Sequence, residues 1–215
     1  MTLREHLTHR FTAKWWDPKP IEQEKLDAIL NTVYLSPSKQ GVYRYEVFVI
    51  TDSPEGKDFK QWLYEHNTWC FEGALLKNGE GDRRFNGQVL APVVLLFMSN
   101  KEQHNDLEDL NLRNHTDAVI ASTIAMCAAQ ELGLSTGFNA TFGSKAIEER
   151  LNRPDLVCNM ILGVGYATPD QRVRRGIYNE DGQRIGYDYS NTDPDLKIDI
   201  NRTQKSEFNK FFNVV

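Results

Sequence analysis

Leu26, Ile29, Leu30 and Val33 recur at i, i+3, i+4 and i+7, the spacing of one face of an α-helix. Pro20 suits a first helical position, and Glu22 and Glu24 suit the first turn, so a helix is predicted over about Pro20–Leu35. Leu3 and Leu7 allow a short helix over Thr2–His9. Ser36-Pro37-Ser38-Lys39-Gln40-Gly41 interrupts the periodicity, and Tyr45–Ile50 reads as a strand. A second helix is predicted over Pro54–His66, and the unbroken apolar run Ala91–Met98 suits a strand buried on both faces. Between them Lys77–Arg84, with two glycines and three positive charges, reads as a loop. Ala118–Ala129 carries no charge and ends at Leu132-Gly133-Leu134. This pattern predicts a central helix, apolar all round, with Gly133 as its C-cap. Strands are expected at Ser135–Asn139 and Val157–Val164, with a helix at Ser144–Leu151 between them. Asp181-Gly182 in the middle of Ile177–Tyr189 signals a hairpin. Helices and strands do not alternate strictly, so the expected class is α+β.

Composition narrows what such a fold does. The 215 residues allow one domain or a tight two-part unit with a sizeable core. Lys and Arg total 25 and Asp and Glu 30, a net charge of −5, which argues against a nucleic-acid binder with a broadly positive surface. Cys70, Cys127 and Cys158 are odd in number and lack CxxC spacing, as expected of reduced thiols in a cytoplasmic protein. Met1–His9 has no apolar core, so no signal peptide is expected, and no stretch is long and apolar enough to predict a membrane span.

Chemistry has few candidates. In an extended segment Arg10, Thr12 and Lys14 project to one side, which makes either a phosphate receptor or a solvated basic edge. Arg172, Arg174 and Arg175 follow the predicted strand that ends near Gly165. Open sheets bind ligands past such strand ends, although arginines in a loop also serve solubility. The Ser36–Gly41 segment offers backbone N–H groups and small side chains to a flat ligand, or is simply a connector. Phe142-Gly143 is ambiguous in the same way, since glycine permits close backbone approach. Trp69, within His66–Phe71, reads as packing or as a pocket wall. The five histidines have no metal-ligand spacing, and there is no Walker A, G-x-S-x-G or complete dinucleotide fingerprint.

Taken in order, four segments resemble the FMN-dependent nitroreductase family. His9-Arg10-Phe11-Thr12-Ala13-Lys14-Trp15 is similar to the family's N-terminal phosphate motif, and Leu35–Gly41 to its Ser-Pro-Ser loop. Asn86-Gly87-Gln88 leading to Ala91-Pro92 resembles the approach to a central strand, and Ala118–Leu134 the core helix. The resemblance implies an α+β sandwich, a central mixed sheet flanked by helices, assembled as an intertwined homodimer. It implies a core over residues 1–175 and a C-terminal extension over 176–215 that wraps the partner subunit; by composition alone that polar tail is either disordered or packed on another subunit.

The resemblance further implies FMN as cofactor and NAD(P)H as hydride donor. Arg10, Phe11, Thr12 and Lys14 would hold the phosphate and ribityl chain with Arg172 and Arg174. Pro37, Ser38, Lys39 and Gly41 would approach from the other subunit. Asn86 would meet the flavin edge, and Phe142-Gly143 would bring a backbone N–H near N5. The implied activity is ping-pong transfer of hydride through N5 to a nitroaromatic, quinone or similar electron-poor acceptor, with no catalytic side chain beyond the flavin. The family's loop Asn is Gly41 here, its following Gln-Pro-Trp is Tyr43-Arg44-Tyr45, and an acidic residue is replaced by Phe142. These departures keep open a specialised branch (flavin reduction, dehalogenation, flavin fragmentation) and a flavin-binding protein without turnover.

Overall fold

Seven consecutive residues, Val93–Ser99, are buried, and alternate side chains enter two different cores. Val93, Leu95 and Phe97 point to one, Val94, Leu96 and Met98 to the other, as the two-residue period of a strand requires. The computed structural model describes residues 11–67, 86–101, 108–140, 142–169, 175–178 and 184–188. The expectations at Thr2–His9, Trp69, Cys70 and Lys77–Arg84 lie outside them.

Four strands form one sheet: β1 (Tyr45–Ile50), β2 (Val93–Asn100), β3 (Ser135–Asn139) and β4 (Leu156–Gly165). Their order is β1-β2-β4-β3, and every pairing is antiparallel. A bulge between Phe97 and Met98 shifts the register of β2 on β4. A parallel contact comes from the isolated bridge Thr12–Thr136, which lays the N-terminal segment along β3. The sheet is mixed only in that sense. Separately, β5 (Arg175–Tyr178) and β6 (Arg184–Asp188) pair as the expected hairpin.

Helices cover both faces. On one side lie α1 (Gln23–Tyr34), through Leu26, Ile29 and Val33, and α3 (Glu108–Glu131), through Ala118, Ala121, Ala125, Met126 and Ala129. On the other lie α2 (Pro54–Trp62), through Phe59, and α4 (Ser144–Leu151), through Ile147. The result is the α+β class expected from the pattern, arranged as the sandwich that the resemblance implies. Ser53 caps α2 by accepting from Gly56 N at 3.1 Å, with Pro54 opening the helix. Helix α3 stops as predicted: Gly133 has φ +75°, its N–H donates to Gln130 O at 3.1 Å, and Leu134 N–H donates to Ala129 O at 2.9 Å.

Expectations change for three helices. Helix α1 begins at Gln23 with Glu22 at its N-cap position, so Pro20 lies before the helix rather than in its first turn. Helix α2 ends at Trp62, and the next residues form a wider π-type turn, Leu63–Asn67. Helix α3 begins ten residues before Ala118, because its inner face continues through polar Asn114 and Asp117, 2% and 7% exposed. Nor is α3 enclosed all round: Val119, Ile120, Ile124 and Cys127 are half-buried and Thr123 is exposed. Among the described residues no helix is long and apolar enough to cross a membrane, and no cluster of His, Cys, Asp or Glu is arranged to hold a metal.

Candidate functional site

The N-terminal segment is extended, and its alternation sorts its side chains. Ala13 is fully buried, whereas Thr12 is exposed and Lys14 half-buried on the opposite side. Ala13 N–H donates to Thr136 O at 2.9 Å, Asp17 N–H to Tyr166 O at 2.8 Å, and the Trp16 indole N–H to Gly87 O at 2.8 Å. Thr12 and Lys14 are thereby fixed beside the turn Gly87–Leu90 that follows Asn86. The approach is close enough to demand glycine. A Cβ on Gly87 would lie 2.2 Å from Lys14 O, and one on Gly137 would lie 2.3 Å from Ala13 O.

Around this junction the polar groups are buried but incompletely paired. Gln88 is 6% exposed; its Nε2 donates to Phe138 O at 3.2 Å, while its Oε1 has no partner. Thr136 is fully buried and its Oγ1 is also unpaired. Gly143 N–H donates to both the backbone O and the Oδ1 of Asn67, each at 3.2 Å. The N–H that the resemblance would aim at flavin N5 therefore already has acceptors inside the chain. The Leu63–Asn67 turn packs against the Gly87–Leu90 turn, which brings Asn67, Phe142 and Gly143 to the neighbourhood of Asn86 and Gln88.

The Pro37–Gly41 loop is anchored elsewhere. Lys39 N–H donates to Asp117 Oδ2 at 3.0 Å, and the Ser36 and Tyr45 hydroxyls lie 2.7 Å apart. Burial pushes the Tyr45 phenol above its ordinary pKa, partly offset by that Ser36 bond. Gln40 and Gly41 both have positive φ, +59° and +68°, so the loop turns through two left-handed residues. Ser38 Oγ is buried without a partner, whereas Pro37 is exposed. Tyr34 and Tyr43 stack with centroids 5.8 Å apart, and Leu35 and Val42 beside them are exposed.

Of the residues singled out from sequence, Phe11, Thr12, Lys14, Asn86, Phe142 and Gly143 converge on the β3 end of the sheet. Pro37, Ser38, Lys39 and Gly41 sit on α3 and β1. Arg10, Arg172 and Arg174 lie outside the described residues. Sequence reasoning missed Asn67, Gln88, Asp117 and Thr136 as candidates. Gln88 had a signal, a polar side chain opening an apolar run; the other three show nothing but a polar residue at an inward position.

A family model described as the nitroreductase family matches residues 7–166. Solved structures match at the level of fold. A nitroreductase family protein from Clostridium novyi NT is 20% identical with a TM-score of 0.61, covering 78% of this chain and 86% of that one. An FMN-dependent nitroreductase from Clostridium difficile R20291 is 24% identical with a TM-score of 0.56, covering 83% and 92%. A Bacteroides fragilis nitroreductase with bound FMN is 15% identical with a TM-score of 0.59, covering 86% and 98%. No curated protein matches the chain in sequence.

Proposed function

The chain belongs to the nitroreductase family, and on that premise we propose that it is an FMN-dependent oxidoreductase. The observation that carries the reading is an unmet buried acceptor, Gln88 Oε1, in the turn fixed beside the segment Thr12–Lys14. Unpaired buried polar atoms cost about 1–3 kcal/mol each and call for a partner. An isoalloxazine with a phosphate tail supplies N–H and carbonyl groups at one end and an anion at the other.

In this reading Arg10, Thr12, Lys14, Arg172 and Arg174 hold the phosphate and ribityl chain through charged hydrogen bonds. Asn86 and Gln88 meet the ring, and Phe11, Phe142 and Gly143 border it. Lys14 adds positive charge that favours electron-rich ligands. Pro37, Ser38, Lys39 and Gly41 reach the cofactor of a second copy. The half-exposed Val119, Ile120 and Ile124 and the exposed Tyr34, Leu35, Val42 and Tyr43 favour burial in a homodimer. The core over 1–175 and the extension over 176–215 are part of the same proposal, as is a cytoplasmic location.

FMN held by these residues would supply the redox chemistry, hydride exchange between NAD(P)H and a nitroaromatic, quinone or similar acceptor. The chain's part is to bind, orient and shield the reacting centre. Purified protein, or protein mixed with FMN, is expected to show flavin absorbance at ~450 nm that NAD(P)H bleaches anaerobically. Absence of any flavin uptake would sink the reading. The departures at Gly41 and Tyr43-Arg44-Tyr45 favour a second reading, a specialised branch acting on a different acceptor. Rates of NAD(P)H oxidation with several acceptors separate the two, and bound flavin that NAD(P)H leaves unbleached would point to binding without turnover.

A further inference from the structure

Asn67 has two jobs available and only one of them is filled. It closes the π-type turn after α2 and is 3% exposed. Its backbone O and its Oδ1 both accept from Gly143 N–H. Because a donor faces Oδ1, the carboxamide orientation is fixed and the amino group points the other way. That Nδ2 has no partner. Gly143 is fitted to the arrangement, since a Cβ there would lie 2.8 Å from Asn67 Oδ1.

Holding Gly143 needs only an oxygen. The amino group, two buried donors with nothing to bond, is surplus to that task and costs free energy where it stands. The neighbouring Gly87–Leu90 turn presents the complementary defect, an unmet acceptor at Gln88 Oε1. A donor and an acceptor from two packed turns suit the rim of a heteroaromatic ring that carries both kinds of group.

We propose that Asn67 is a flavin-recognition residue: its Oδ1 holds the Gly143 N–H while its Nδ2 donates to an acceptor atom on the rim of the bound isoalloxazine. This assignment rests on the flavin reading above. It identifies a contact that comes from the turn after α2 and that no sequence motif marked.

The test titrates FMN into full-length wild type, Asn67→Asp and Asn67→Ser, following flavin fluorescence. Asn67→Asp keeps an oxygen for Gly143 and replaces the donor by an acceptor; Asn67→Ser is smaller and carries the test if the new carboxylate prevents folding. Both are expected to bind FMN about tenfold more weakly or worse. In wild type the Asn67 side-chain amide resonances, identified by their absence from Asn67→Ser, are expected to shift on adding FMN. In ligand-free Asn67→Asp the Gly143 amide proton is expected to stay as protected from hydrogen exchange as in wild type, because an oxygen still accepts from it. Variants whose FMN affinity stays within about twofold of wild type, or Asn67 resonances that ignore FMN, overturn the assignment. Wild type that takes up no FMN overturns the flavin reading and this assignment with it; wild-type binding with unaffected variants overturns Asn67 alone.

Discussion

Two sets of buried polar groups lie around the Gly87–Pro92 segment, and they are built on opposite terms. In the first, Lys60, 3% exposed, donates to Asp52 Oδ1, to Ala91 O at 2.8 Å and to Pro92 O at 3.2 Å. Burial lowers the ammonium's pKa, and the bond to Asp52 works against that fall. In the second, Gln88, Thr136 and Asn67 each leave a polar atom unmet. The first set is complete within the chain, and the second is not. Burial is common to both; satisfaction separates scaffold from candidate site.

The largest test of this contrast is Lys60→Met. Apolar replacement leaves the Ala91 and Pro92 carbonyls without their donor, so stability should fall by about 2–4 kcal/mol in urea unfolding. A loss under about 1 kcal/mol would place Lys60 outside the scaffold. Gly137→Ala comes next, at about 1–3 kcal/mol, because its Cβ would strike Ala13 O and the Gln88 side chain. Since the clash pushes the Thr12–Lys14 segment away, FMN uptake should fall with it. Thr136→Val sharpens the comparison from the other side. Removing an unmet hydroxyl at constant shape should leave ligand-free stability unchanged or raise it by up to about 1 kcal/mol in urea unfolding. Marked destabilisation without ligand would show that Thr136 belongs with Lys60.

The smallest expected effect lies on the surface. Tyr166 OH donates to Glu22 Oε2 at 2.6 Å, and this bond, with help from Lys19, holds the Glu22 carboxyl at a pKa of about 2. A carboxyl with a depressed folded pKa contributes stability above its unfolded pKa, near 4.5, and loses it as pH falls towards 2. Glu22→Gln should remove that part of the acid dependence, and added salt should shrink it in wild type. A wild-type acid profile unchanged by the substitution would mean that solvent already screens the group fully.

The fold was legible where periodicity carries it. The β-branched and aromatic run at Tyr45–Ile50, the short Ser135–Asn139 strand and the Ser144–Leu151 helix have the bounds their patterns predict. Helix α3 was read short because hydrophobicity marks its inner face only from Ala118; before that the face is kept by Asn114, which donates to Asn100 O at 3.2 Å, and by Asp117. The placement of the candidate site was half legible. Thr12 and Lys14 follow from alternation in an extended segment, but the pairing state of Gln88, Thr136 and Asn67 depends on what the fold brings within 3 Å or so of each atom. No local pattern encodes that. The anchoring of Lys39 by Asp117 joins residues 78 positions apart and is invisible for the same reason.

The Thr12–Thr136 bridge has a consequence for the integrity of the sheet. Strand β3 lies at its border, and exposed borders recruit other chains. The segment that carries Thr12 and Lys14 is also the cover over that border. Anything that peels it away, by proteolysis or by a clash at Gly87 or Gly137, uncovers an adhesive strand at the moment it dismantles the proposed anion grip. Loss of ligand binding and onset of aggregation should therefore arrive together.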